Sequence, residues 1–175
     1  MRKPRILVEN AEYHVTARSN RQEFIFQNDK MKDLFLEIIA QAKKKYSFRI
    51  RNLCIMSNHV HLMIQPGKGE SLSRILQWIL SVFAQRFNKI CGYHGHVWYD
   101  RFKSKVIYTY RQFLAVFQYI SQNPVKAKMV QRSIEYKYNG IRLMWDKRFE
   151  IIEPPDSILR FGVPDAINPL YLPRS

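Results

Sequence analysis

Two helical stripes bracket two β-rich runs between Asp29 and Ile90, and few folds accept that order. From Asp29 to Lys45 the apolar residues fall at Met31, Leu34, Phe35, Ile38, Ile39 and Ala42, one face of a 3.6-residue period with Asp29 placed as N-cap. Lys43, Lys44 and Lys45 close that stripe at the negative end of the helix dipole. Residues 48–56 and 59–65 then form two β-rich runs around a Ser57-Asn58 turn, stopped by Pro66-Gly67, which reads as a hairpin. Ser71 caps the second stripe, carried by Leu72, Ile75, Leu76, Ile79, Leu80, Phe83, Phe87 and Ile90.

The flanks complete the pattern. Residues 13–17 (YHVTA) read as a first strand and residues 103–109 as a fourth, after a break at Gly92 and Gly95. A third helix spans residues 110–121 and stops near Asn123-Pro124, because a residue before proline leaves the α region. Residues 124–130 restart as a short turn with proline in first position. The order β-α-ββ-α-β-α predicts an α+β fold: a ferredoxin-like four-stranded antiparallel sheet, both crossover helices on one face, and a further helix after the last strand. A length of 175 residues suits one domain. We place it at residues 1–146, followed by a tail at 147–175 that carries Pro154, Pro155, Pro164, Pro169 and Pro173.

Composition narrows the function classes. An apolar content of 46% rules out a disordered chain, yet 29 basic residues face 14 acidic ones, a formal charge of +15. Such self-repulsion opposes compaction, so the excess points to a polyanionic partner, with nucleic acid favoured through counterion release. No basic amphipathic anchor, signal-like segment or bilayer-length apolar run is present, so no membrane partner is expected and the reading is cytoplasmic. Cys54 and Cys91 have no paired or zinc-type spacing, and Cys54 reads as a small buried hydrophobe.

Two pairs of residues stand out chemically. His59 and His61 alternate in a strand, so both imidazoles leave one face of the sheet and can share a metal ion. By itself such a pair is more often unrelated to metal than a ligand pair. His94-Gly95-His96 has the same spacing, but a glycine-broken loop fixes neither side chain. Tyr119 and Asn123 lie four apart on one helical face. Without further information they read as a core-edge tyrosine and a stop signal ahead of Pro124.

Four segments in order tip the balance: Tyr13-His14-Val15-Thr16 with Asn20-Arg21; Met56-Ser57-Asn58-His59-Val60-His61-Leu62; Gly95-His96-Val97-Trp98 leading to Arg101-Phe102-Lys103-Ser104; and Tyr119-Ile120-Ser121-Gln122-Asn123-Pro124-Val125-Lys126-Ala127. They span roughly residues 13–130, and through them the chain resembles the HUH single-strand DNA transposases, in particular the REP-associated tyrosine transposases. The resemblance implies that His59 and His61 are metal ligands with Asn123 as the third, and that Tyr119 is the nucleophile. It implies a divalent cation, Mg2+ or Mn2+, and cleavage and joining of single-stranded DNA through a 5′-phosphotyrosyl link, on DNA folded as hairpins. It also implies a nucleoid-associated bacterial protein. Where the family often carries a Ser-Ser-Tyr-like element, this chain has Tyr138-Asn139-Gly140-Ile141.

Candidate DNA contacts are the N-terminal arm Arg2, Lys3 and Arg5, together with Arg21, Arg101, Lys103, Lys105 and Arg111. Trp98, Tyr99 and Phe102 are candidates for stacking on bases. Two other readings stay open on sequence grounds: a non-catalytic basic sheet that binds nucleic acid, and a replication-initiator nuclease of the wider HUH class. Monomer and homodimer are both compatible with the sequence, with Tyr119 acting on its own His pair or exchanged between subunits.

Overall fold

The computed structural model of the chain describes Val8 and residues 10–153. Arg2, Lys3 and Arg5, and the tail prolines from Pro154 onward, lie outside the described residues. Four strands, β1 (Glu12–Arg18), β2 (Phe48–Ile55), β3 (His59–Pro66) and β4 (Lys103–Ile107), form one antiparallel sheet in the order β2-β3-β1-β4. Helix α1 (Asp29–Lys45) joins β1 to β2 and α2 (Leu72–Cys91) joins β3 to β4, which is the ferredoxin-like arrangement.

Local chemistry sets the helix ends. The N-cap of α1 is Asn28, one residue earlier than the stripe suggested: its side chain accepts from Met31 N–H at 3.0 Å, while Asp29 sits in the first turn. Ser71 caps α2 as expected, and Gly92 ends it at φ 67°, a left-handed position that suits glycine.

Strand pleating sorts the sheet into two faces. Tyr13, Val15, Ala17, Leu53, Ile55, Val60, Leu62 and Ile64 share one face, all at most 2% exposed, and join the buried stripes of α1 and α2 in one core. Both crossover helices thus cover that face. The opposite face carries His14, Thr16, Arg18, Asn52, Cys54, His59, His61 and Met63, and helix α3 (Tyr110–Lys126) lies across it over β2 and β3.

That helix runs on where the sequence reading ended it. Pro124 lies inside α3, buried, and no separate turn restarts after it. A proline in this position withdraws one backbone donor, and the ladder resumes at once with Ala127 N–H donating to Asn123 O at 3.0 Å. Asn123 also turns its side-chain amide onto Tyr119 O at 2.9 Å.

A bulge in β2 prepares the seat for α3. Ile50 pairs with Ile64 but Asn52 pairs with Met63, so Arg51 is the extra residue and the alternation changes phase. Asn52 thereby leaves the face of Ile50 and points at α3. Fully buried, it donates to Phe117 O and Ser121 Oγ, each at 2.9 Å, and accepts from Leu53 N–H at 2.8 Å.

A second amide, Asn139, donates to Ser121 O at 2.7 Å from the far side. It belongs to a segment that sequence periodicity did not register, a 3-10 turn (Ser133–Glu135) and a short helix α4 (Gly140–Trp145). This segment covers the outer edge of β2: Ile55 N–H donates to Tyr138 O at 3.0 Å and the Tyr136 hydroxyl to Ile55 O at 2.7 Å. The chain stays packed beyond residue 146. Ile151 and Ile152 are buried, Glu153 N–H donates to Ile50 O at 2.8 Å, and the Glu153 carboxylate accepts from Lys43 Nζ at 2.6 Å.

Loss of the Asn52 amide removes both donations to α3 and the side-chain acceptor of the buried Leu53 N–H. Asn52→Ala is expected to lower stability by about 2–3 kcal/mol in urea unfolding. Gly140→Ala should destabilise through the same contact, because an added Cβ would overlap Asn52 Oδ1. Unchanged midpoints in both variants would show that the network does not hold α3.

Candidate active site

The histidine pair lies at the bottom of a cleft of about 400 Å³ between the sheet, α3 and the segment before β4. Its lining includes His14, Thr16 and Arg18 from β1, His59 and His61 from β3, Lys103 and Lys105 from β4, Tyr119 from α3, and Tyr99, Asp100 and Arg101. Pairing explains the assembly. Thr16 stands opposite His61 and Arg18 opposite His59, while on the other side of β1 Lys103 meets Thr16 and Lys105 meets His14.

Each imidazole of the pair is held through Nδ1. His59 Nδ1 is 2.7 Å from Asn58 Oδ1. His61 Nδ1 is 3.1 Å from His14 Nε2 and 3.2 Å from Thr16 Oγ1. Asn58 Oδ1 can only accept, so His59 carries its proton on Nδ1 and keeps Nε2 as an acceptor, while the contacts of His61 hold the orientation of its ring. The two rings meet edge to face with centroids 4.9 Å apart.

Burial is the main force on their charge. Desolvation, helped by the nearby Arg18 guanidinium, pushes His59 down to about 4 and His61 down to about 3; His61 is lowered further by the neighbouring imidazoles. His14 is lowered too, by burial and then by Lys105. At neutral pH all three rings are uncharged, with lone pairs available.

Tyr119 stands over this group. Its ring is 42% exposed, with centroids 5.5 Å from His61 and 5.7 Å from His14, and Lys126 Nζ lies 5.4 Å from the ring centroid two turns along the helix. The tyrosine therefore meets the histidine pair of its own chain. Asn123 lies one turn beyond, half-buried and outside the cleft lining. Its Nδ2 is turned onto Tyr119 O.

The remaining sequence candidates separate. Arg101, Lys103 and Lys105 are exposed on the cleft rim. Arg21 and Arg111 are exposed but do not line it. Trp98 is half-buried against the core: its ring packs near Phe83, Phe26 and Phe35 with centroids 5.6–6.4 Å away, and its indole N–H donates to Leu80 O at 2.9 Å. Phe102 is buried as well, whereas Tyr99 is 73% exposed. Sequence reasoning assigned no role to His14, Thr16, Arg18 or Asn58. Alternation along β1, read together with that of β3, is the signal that places the first three beside the histidines.

A ferredoxin-like sheet with two histidines on one strand, facing a tyrosine on the helix after the last strand, is the architecture of HUH-type nucleases. The chain belongs to the IS200-like transposase family, whose profile ("Transposase IS200 like") matches residues 7–123. Among solved structures, a REP-associated tyrosine transposase bound to a REP hairpin superposes with a TM-score of 0.71 at 17% identity, covering 89% of this chain and 92% of that one. A putative transposase from Deinococcus radiodurans covers 70% of this chain and 97% of its own at 18% identity, with a TM-score of 0.47. No curated protein matches the sequence. Among the described residues no helix is long and apolar enough to cross a membrane.

The lowered histidines make stability depend on pH. Unfolded imidazoles take up protons near 6.5, while the folded His59 and His61 resist until about 4 and 3. Between those limits the unfolded chain binds more protons, so stability falls as pH falls below 6.5. For His61 the slope approaches, as an upper limit, about 1.4 kcal/mol per pH unit. Urea midpoints measured in chelator at pH 7 and pH 5 should separate, and His61→Asn should narrow the gap.

Proposed function

We propose that this protein is a metal-dependent single-stranded DNA endonuclease and strand transferase that acts on hairpin-forming DNA, with Tyr119 as nucleophile. The observation that carries the reading is the seat of Tyr119 within 5.5 Å of the His61 ring of its own chain, over a cleft with a cationic rim.

Tyr119 Oη attacks a backbone phosphorus in line with the bond to the 3′-oxygen. The Oη–P bond forms as the P–O3′ bond breaks. The phenol gives up its proton as it attacks and the departing 3′-oxygen takes one up, so the proton count is unchanged and the products are a 5′-phosphotyrosine and a free 3′-hydroxyl. Joining is the reverse: a 3′-hydroxyl attacks the same phosphorus and the phenol is released, so no nucleotide cofactor is required. Arg18, Arg101, Lys103 and Lys105 hold the strand by its phosphates. Holding Tyr119 on a packed helix replaces a bimolecular encounter with a fixed approach.

The donor set suits a divalent cation. His59 keeps Nε2 free, the His61 ring beside it is uncharged, and Asn123 Oδ1 is a neutral oxygen donor on the same helix face as Tyr119. Among the described residues no cluster of three His, Cys, Asp or Glu suits a metal, and it is the family resemblance that offers Asn123 as the third protein ligand. Mg2+ or Mn2+ held there would polarise a non-bridging phosphate oxygen, and neutral ligands leave its charge undiminished. A mixed nitrogen and oxygen set favours Mn2+ in affinity. The reading places the protein in the cytoplasm, on chromosomal DNA, and as a monomer for catalysis.

A labelled hairpin oligonucleotide with single-stranded flanks, incubated with Mn2+ or Mg2+, should give a covalent adduct that survives denaturing electrophoresis. Tyr119→Phe should abolish the adduct. His61→Ala should reduce it at least about 100-fold while leaving DNA affinity within a few-fold. Tight binding without adduct under either metal would refute the catalytic reading.

A further inference from the structure

The wall formed by Tyr99, Asp100 and Arg101 has a second side. Behind it lies a groove of about 700 Å³ that the catalytic reading does not use. The outer face of α2 lines it with Gln77, Ser81 and Ala84, and Asn20, His96 and Trp98 close the other side. The catalytic cleft has Arg18, Arg101, Lys103 and Lys105, but of Asp, Glu, Lys and Arg the groove lining has only Asp100 and Arg101, on the shared wall.

This groove is built, although its outer wall is irregular chain. Asn88 Nδ2 donates to Gly95 O at 3.0 Å, Asn20 N–H to Val97 O at 2.8 Å, the Trp98 indole to Leu80 O at 2.9 Å, and Tyr99 N–H to Arg18 O at 3.0 Å. The segment is thus tied to α2 at two points and to the end of β1 at the others. Fixing it this way costs little at binding, since the ordering is already done. Gln77 and Ser81 are exposed, and among the described residues their side chains meet no hydrogen-bond partner.

Resting on the single-strand reading above, we propose that the groove takes one unpaired nucleobase of the DNA strand, next to the phosphate held in the catalytic cleft. The chemistry of the two compartments differs as the two parts of a nucleotide differ. The cationic cleft fits phosphate. The groove, with neutral amides and hydroxyls above an apolar floor, fits a planar heterocycle with a hydrogen-bonding edge. Tyr99 stands on the shared wall, 73% exposed, with its backbone pinned, where a base passing over the wall stacks on its ring. Gln77 offers both an amide donor and an acceptor to the base edge, and Ser81 a hydroxyl one turn away. The groove thereby reads sequence, while the rim reads only backbone.

The test uses the full chain carrying Tyr119→Phe, which binds without cleaving. It is used to enrich a randomised single-stranded DNA library, and the enriched strand is then scanned with an abasic site at each position. The expected result is one position where base removal weakens binding about ten-fold, with Tyr99→Ala giving a similar loss on the intact strand and no further loss on the abasic one. Gln77→Ala with Ser81→Ala should flatten base preference at that position and leave affinity for the abasic strand unchanged. If no position is sensitive to base removal, or if the sensitive position behaves alike in wild-type and altered grooves, the proposal is overturned. The wild-type adduct assay reports separately on the catalytic reading: base sensitivity without adduct retains the groove and removes the nuclease, and adduct without base sensitivity does the reverse.

Discussion

The seat of α3 on the histidine face of the sheet rests on the buried amide of Asn52. A helix laid on a sheet by apolar contact alone can rotate or slide by a residue at modest cost, because hydrophobic contact has no direction. Hydrogen bonds from one side chain to Phe117 O and Ser121 Oγ remove that freedom, and Asn139 holds Ser121 from the other side. Such networks lend specificity more than net stability, since each partner is desolvated in order to be paired. Tyr119 lies between the two anchored residues, so its approach to His61 follows from the anchoring. The set fixes the register of α3 on the sheet, and with it which residues of the helix face the histidines.

The charge pattern has the same logic. The chain carries +15, but the centre of the cleft is neutral. Burial keeps His59 and His61 unprotonated, and nearby cations push in the same direction. A positive rim around a neutral floor draws a phosphate strand inward without supplying a competing charge where a cation would sit. Asp100 is the sole carboxylate among the residues lining the cleft. The Arg51 guanidinium, by contrast, is taken up structurally, bound to Glu12 and Gln65 on the sheet and to the Glu153 backbone. Net charge is therefore a poor guide to which cations meet DNA.

Much of the frame was legible because it obeys two periods. The stripes of α1 and α2 and the alternation of β1 and β3 gave the element order, the buried face and the shared face of His59 and His61. What escaped is what breaks period. Read with strict alternation, Asn52 shares a face with Ile50; a single extra residue at Arg51 moves it to the other. Pro124 looked like a stop, yet α3 continues through it with the ring buried and a single donor lost. Residues 133–145 lack a long stripe, since they work through the side-chain hydrogen bonds of Tyr136 and Asn139. Trp98 shows the converse limit: an aromatic beside basic residues suggested stacking on DNA, but only tertiary contact reveals that its ring belongs to the Phe26, Phe35 and Phe83 cluster. The nucleophile role expected of Tyr119 rests on the resemblance, and the structure shows its ring beside that of His61.

Irregular chain next to a reactive centre usually means mobility, and here the bonding argues the opposite. Between Gly92 and Phe102 the backbone follows no regular element, yet Gly95, Val97, Trp98 and Tyr99 are each tied to α2 or to the β1 end. A strand or helix in that place would present one repeating face to the sheet edge. An irregular segment bonded residue by residue can present Tyr99 and Arg101 outward while burying Val97 and Phe102 beneath them. The fold thus gains a rigid partition, one side facing the histidines and the other facing α2, from a stretch whose composition alone reads as loop.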